Sequence, residues 1–361
     1  MMMTDKSKKH VDSCRFCWMC HHICPIGNAT GHERSTPRAR ALGISMVNRG
    51  AIELKEIMDN IYECAGCGGC VRECVTGWDP VMFTREVRLQ AALEDQLPAY
   101  INTMVDNCLD TGNAYGKTTL CDKLTAAIAA HSDKTDTLLY LGADARYMVC
   151  EQAVKAIEVL ERAGVAFTVL ADEKPTGAQL DFLIGAAEET REQMVAAAGV
   201  MNGYQTVVLY DPADAKVVKQ TYGEHGIELS CRAMTWTAYL AELVASGALK
   251  ADKRAGAVVY QDPFQLARDL GETEEARAVI SAFAELHELH LCRAETVWAG
   301  NILMAQYMPE VMKAVAERRL YNVTSIGEST VVTASVSEYV SLKSVAQDKV
   351  TILSLEDLML G

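Results

Sequence analysis

The chain has 361 residues, half of them hydrophobic, and a formal charge of −14 from 34 basic and 48 acidic side chains. That length holds two or three domains, and the acidic balance is the opposite of a nucleic-acid binder's. No apolar run approaches the roughly eighteen residues of a membrane span.

The start, MMMTDKSKKH, is polar and lysine-rich with no signal core behind it, so residues 1–10 read as a flexible tail on a cytoplasmic protein. Thirteen cysteines in such a chain point to metal rather than to disulfides, because the cytosol keeps thiols reduced.

Two cysteine rows follow. CRFCWMCHHICP sets Cys14, Cys17, Cys20 and Cys24 before Pro25, the ferredoxin run C-x2-C-x2-C-x3-C-P. CAGCGGCVREC repeats the spacing with Cys64, Cys67, Cys70 and Cys74, and Val75 stands where the proline would be. Three thiolates on one tight turn reach three irons of a cube, and the fourth belongs to the neighbouring cube. The expectation is therefore two [4Fe–4S] clusters ligated crosswise. Cys14, Cys17, Cys20 and Cys74 hold the first, and Cys64, Cys67, Cys70 and Cys24 the second.

Glycines in CAGCGGC let backbone pass close to sulfide, while Phe16, Trp18 and Met19 supply apolar cover in the first row. Zinc fits poorly, because its sites use one closed tetrahedron. His21 and His22 are surplus to four thiolates per row and read as neighbouring donors or surface. Arg34, Arg38, Arg40 and Arg49 lie between the rows, where they suit a docking face for an acidic partner, ordinary surface, or the surroundings of a cluster.

The spacer predicts helices over 38–47 and 51–61, the first after the cap-and-turn pair Thr36-Pro37. MFTREVRLQAALED and AYINTMVDNCLD extend the helical pattern toward residue 130. GNAYGKTT, 112–119, lacks the P-loop spacing and reads as a loop.

From 136 strands alternate with helices: TLLYLGAD, VAFTVLAD, QTVVLYDP and GIELS, then GAVVYQDP, helices over 273–286 and 302–318, STVVTAS and VTILSL. The alternation implies parallel sheets covered on both faces. VVLYDPAD and VVYQDPFQ share a strand-to-turn form that suggests a repeat. The fold class is thus α plus α/β, an N-terminal α-helical ferredoxin domain with two cluster motifs and then a duplicated α/β region. Its divisions are 11–130, 131–250 and 251–361.

These motifs resemble a family of iron–sulfur subunits: those of glycolate oxidase, of anaerobic glycerol-3-phosphate dehydrogenase and of heterodisulfide reductase. There, a two-cluster domain precedes two cysteine-rich CCG domains. This sequence departs from the pattern. Lys174-Pro175-Thr176-Gly177, Val297-Trp298-Ala299-Gly300, Gln261-Asp262-Pro263-Phe264 and VVTASVSEY stand where cysteines are expected. The α/β region is therefore degenerate CCG-type with no cluster of its own, and Cys108, Cys121, Cys150, Cys231 and Cys292 read as isolated small hydrophobes.

The resemblance implies an electron-transfer subunit without catalytic residues. It would take single electrons from a partner FAD-binding dehydrogenase acting on a small 2-hydroxy acid or polyol-type substrate, and pass them to a downstream carrier. The alternative is a heterodisulfide-reductase-like thiol–disulfide reductase.

Overall fold

The computed structural model describes residues 4–250 and 256–361. Among the described residues no strand precedes residue 137, and the long members of the N-terminal module are helices Pro37–Asn48, Pro80–Leu93 and Ala99–Thr111. Their ends are chemically marked. Thr36 accepts from the Ala39 amide and Asp79 from those of Val81 and Met82, each capping a helix that begins on proline. Gly112, left-handed at φ 75°, stops the third. Ile44, Ile61, Tyr62, Trp78, Phe83 and Val87 form the module's buried core.

Three expectations for this module change. Residues 1–3 lie outside the described residues, but Asp5–Val11 of the expected tail form a helix. Thr4 caps it, Ser7 donates to Glu86 at 2.5 Å, and the His10 carbonyl accepts from the Trp78 indole at 2.9 Å. The stripe over 51–61 is broken into a 3-10 turn, Leu54–Ile57, and a short helix, Met58–Tyr62, because the Glu53–Glu56 capping box restarts the chain there. Lastly, the helix Asp122–Ala130 buries Leu124 and Ile128 in the α/β core rather than in the helical module.

The remainder holds two four-stranded parallel sheets. In the first, β1 (Thr137–Tyr140), β2 (Thr168–Val169), β3 (Thr206–Leu209) and β4 (Arg232–Thr235) lie in the order β2-β1-β3-β4. In the second, β5 (Ala257–Gln261), β6 (Glu285–His287), β7 (Thr330–Thr333) and β8 (Thr351–Ser354) lie in the order β6-β5-β7-β8. Each sheet thus winds outward both ways from its first strand.

GIELS is not a strand; pairing begins two residues beyond it, at Arg232, which aligns with Thr206. The helix expected over 273–286 ends at Phe283, and its tail becomes β6, in register with β5. The two Asp-Pro turns follow β3 and β5, third and first in their sheets. They are therefore not equivalent, although each leads into a π-helical turn, Val217–Thr221 and Gln265–Asp269.

One apolar core runs through both sheets, joining Leu139 and Val208 to Val258, Tyr260 and Val332 around Trp236. The helix Leu355–Leu360 crosses back to the first sheet's side. There Trp236 donates to Glu356, Lys155 pairs with Asp357, and Arg162 donates to the Met359 carbonyl.

Asp262, following β5, is wholly buried. It receives both Arg277 terminal nitrogens at 2.6 and 2.9 Å and the Arg293 amide at 2.8 Å. Asp262→Ala leaves the buried guanidinium half-paired, and we expect a loss of about 3–5 kcal/mol in chemical denaturation. A loss within about 0.5 kcal/mol, the range of an ordinary surface change, contradicts this account.

Candidate metal centre

The two cysteine rows fold into loops of one backbone form. In the first, Phe16 and Trp18 take φ 55° and 67°; in the second, Gly66 and Gly68 take 65° and 69°. The left-handed residues flank the second cysteine of each row and turn amides inward. The Phe16 amide donates to Cys14 Sγ and the Gly66 amide to Cys64 Sγ, both at 3.4 Å. Gly27 and Trp78 do the same for Cys24 and Cys74, at 3.4 and 3.3 Å. Such N–H···S contacts are what thiolate ligands require around them.

Cys24, Cys64, Cys67 and Cys70 line one pocket together with Arg40 and Pro25. Cys14, Cys20 and Cys74 border the helical core half-buried, and Cys17 is exposed. Burial, then the neighbouring Cys14, Cys24 and Cys17, push the Cys20 thiol up to about 11. Burial likewise holds Cys70 well above its ordinary value, reinforced by Cys67, Cys64 and Cys24. Crowded thiols of this kind become thiolates when a metal takes their protons.

Among the described residues no three His, Cys, Asp or Glu side chains converge on one ion. The four cysteines of the pocket surround a space instead. Zinc needs four ligands within about 2.3 Å of a point, whereas a cube carrying its own sulfides binds each thiolate at a different iron. The donor set therefore fits a [4Fe–4S] group. Arg40 fits it too. It is buried, donates to the Ser35 carbonyl at 2.9 Å and reaches Cys24 Sγ at 4.0 Å. Burial opposes its charge, but Cys64, Cys24 and Cys70 outweigh that and stabilise it.

The second loop is fastened from three sides. Buried Arg88 donates to the Cys64 carbonyl at 2.6 Å, to that of Ile61 at 3.1 Å and to that of Phe182 at 2.8 Å. Arg268, in the second α/β half, donates to the carbonyls of Cys67 and Ala294. Tyr307 donates to the Tyr62 carbonyl at 2.9 Å, and Tyr62 in turn to Leu183 at 2.6 Å. The histidines stay outside: His21 is half-buried and His22 exposed, each 3.8 Å from a glutamate.

Beside this loop, at Ala65, a cavity of about 100 Å³ opens between the α/β halves. Its walls come from just past the ends of β1 (Asp144), β3 (Asp211), β5 (Phe264) and β7 (Ser335, Glu338), with Trp298 closing one side. Carboxyl ends of parallel strands at a switch point are where open sheets bind ligands. Three of the four stretches where the resemblance leads one to expect cysteine meet here, as Phe264, Trp298, Ser335 and Ser337, while Lys174, Pro175, Thr176 and Gly177 line a neighbouring cavity.

Acids crowd this space. Asp144 accepts from Tyr115, Gln179 and Ser337. Burial pushes Asp211 up to about 7, helped by Asp144, and Glu338 up to about 8 against the pull of the Ala299 amide, Gln261 and Arg319. These carboxylates were missed in the sequence, although an acid a few residues beyond each of β1, β3 and β7 is a readable signal.

Residues 10–78 match the family model described as a 4Fe-4S dicluster domain. The chain carries a [4Fe–4S] ferredoxin-type domain. Over 281 residues it is 27% identical to a protein of Chromohalobacter salexigens named a probable membrane-anchored ferredoxin, covering 73% of this chain and 40% of that protein. It thus spans less than half of that relative's length. Over 343 residues it is 25% identical to a subunit of the dihydromethanophenazine:CoB–CoM heterodisulfide reductase of Methanosarcina acetivorans, covering 86% of this chain and 83% of that one. A glutamate racemase isoform of Bacillus anthracis aligns at 14% identity with TM-score 0.32, covering 64% of this chain and 80% of that one. No described helix is long and apolar enough to cross a membrane.

Two of the five cysteines expected to be isolated are paired: Cys121 and Cys150 form a disulfide across 29 residues. Cys121 immediately precedes the helix Asp122–Ala130 and Cys150 begins the helix Cys150–Arg162. These two helices pack together, which sequence distance concealed.

Glu338 gives a pH test. Its folded form keeps a proton to about pH 8, while an unfolded glutamate releases one near pH 4.3. Stability therefore falls as pH rises through that window, with a slope of up to about 1.4 kcal/mol per unit for one proton. Denaturation of Glu338→Gln between pH 5 and 8 should be flatter than wild type, and identical slopes contradict the assignment.

Proposed function

We propose that this chain is the iron–sulfur electron-transfer subunit of an oxidoreductase. Two [4Fe–4S] clusters are held, one by Cys14, Cys17, Cys20 and Cys74, the other by Cys24, Cys64, Cys67 and Cys70. The observation that carries the reading is the pocket that Cys24, from the first row, shares with Cys64, Cys67 and Cys70 of the second. Cys74, from the second row, borders the same core as Cys14 and Cys20, which supports the reciprocal exchange. A cluster of this kind supplies one-electron transfer.

Around it, the chain's own residues set the conditions. Amides of Phe16, Gly27, Gly66 and Trp78 donate to ligand sulfurs, and Arg40 offsets thiolate charge. In the proposed role the chain receives single electrons from an FAD-binding dehydrogenase acting on a small 2-hydroxy acid or polyol-type substrate. It then hands them to a downstream carrier, in the cytoplasm. Resemblance to iron–sulfur subunits of such complexes supports this.

A second reading, a thiol–disulfide reductase, is favoured by two observations: similarity to proteins named as heterodisulfide reductase subunits, and the cavity beside Ala65. It is weakened by a lining without a single cysteine.

Iron and acid-labile sulfide analysis of protein purified without oxygen separates the two. Two cubes give about eight irons per chain; clearly more favours the reductase, and zinc without visible absorbance defeats both. Cys24→Ser should damage the cluster of Cys64, Cys67 and Cys70 in EPR, and damage confined to the Cys14 cluster refutes the crosswise assignment. Arg40→Gln should move a midpoint potential negative by on the order of 50 mV, about 1 kcal/mol for one electron; an unchanged potential removes Arg40 from this role. A flavoprotein should copurify, and substrate turnover by the isolated chain contradicts the subunit reading.

A further inference from the structure

The two cysteine loops share a backbone but not a setting. At Gly68 an added Cβ would lie 3.3 Å from Arg268 Cδ, so this position of the second loop is closed by the second α/β half. The matching position of the first loop is Trp18, half exposed, and its neighbour Phe16 is 63% exposed. Left-handed backbone costs a residue other than glycine roughly 1–2 kcal/mol, and the second loop shows that glycine serves at both positions. Two bulky aromatics therefore sit where the backbone disfavours them and where burial returns only part of the cost. Arg38 stacks on Trp18 at 4.0 Å and on Phe16 at 5.4 Å, a further partial offset, since exposed cation–π contacts contribute about 0.5–1 kcal/mol.

The patch extends beyond the loop. Met19 is exposed, and Leu42 and Met46, one and two turns past Arg38 on the helix Pro37–Asn48, are exposed too. Six of the twelve large apolar side chains exposed among the described residues fall between positions 16 and 75, so the exposure is concentrated rather than scattered. The charge is uneven as well. Residues 1–78 carry 10 basic and 8 acidic side chains, and the remainder 24 and 40. Arg15, within the first row, is exposed; Arg38 and the 75% exposed Arg34 already face Glu33 and Glu63 at 3.0 and 3.5 Å, so a partner's carboxylates share them.

Resting on the reading above, we propose that the face around Cys17 is the docking surface for an acidic, one-electron protein carrier. The aromatics fill the partner's apolar centre and the arginines meet its carboxylates. The second loop's face is already covered by the chain's own α/β half, so the first loop is the one that exchanges electrons with another molecule.

Flavodoxin, a small acidic one-electron protein, is the probe. In Leu42→Glu/Met46→Glu, at exposed apolar positions of the helix Pro37–Asn48, iron content and reduction by dithionite should match wild type. Affinity for flavodoxin by calorimetry, and the electron-transfer rate from its reduced form at low salt, should each fall at least tenfold. Phe16→Gly/Trp18→Gly, with affinity normalised to its iron content because the Phe16 amide donates to Cys14 Sγ, should show the same loss. Tyr321→Ala, an exposed aromatic elsewhere, should change nothing. Wild-type flavodoxin affinity in both patch variants, or a wild-type rate indifferent to salt, overturns the docking proposal alone. Iron-free wild-type protein overturns the electron-transfer reading and the docking surface with it.

Discussion

The carbonyls of the second cysteine row are the constraint on which the architecture turns. A loop tight enough to aim several thiols inward cannot pair its own outward carbonyls, and a buried unpaired carbonyl costs about 1–3 kcal/mol. Two guanidiniums meet that need. Arg88 takes the carbonyls of Ile61, Cys64 and Phe182, and Arg268 takes those of Cys67 and Ala294. Because Arg88 rises from the helical module, Phe182 belongs to the first α/β half, and Arg268 to the second, pairing the loop also joins all three parts of the chain.

That junction explains what the α/β region retains. Phe264, Trp298, Ser335 and Ser337 meet at one cavity beside it. The switch-point geometry follows from strand order, not from the residues placed there. Asp262, two residues before Phe264, is a buried anchor for Arg277. Asp144, Asp211 and Glu338 crowd the space left, and burial holds them toward their protonated forms.

Much of this was legible in the sequence because it is local. The cysteine spacing, the Thr36-Pro37 start, and the apolar runs of β1, β3, β5, β7 and β8 each sit within a few residues. What was hidden depends on distant partners. GIELS looks like a strand, but alignment with β3 selects Arg232–Thr235. Residues 5–10 look like a tail until Glu86 and Trp78 are brought to them. Cys121 and Cys150 look solitary because helix packing, not spacing, brings them together. The shared Asp-Pro turns suggested a repeat, yet they occupy different places in the two sheets. The eight cysteines were legible as a set, whereas Arg88 and Arg268 carry no motif.

The contrast between a clamped loop and an open one bears on how fast charge can move. Around Cys67 the dipoles are already fixed by arginines and tyrosines, so they have little to rearrange when the local charge changes. Around Cys17 water supplies much of the surroundings and must reorient at every change. Under the docking proposal, a protein seated there would expel that water and lower the reorganisation barrier only for as long as it stayed, making contact itself the throttle on leakage to stray oxidants.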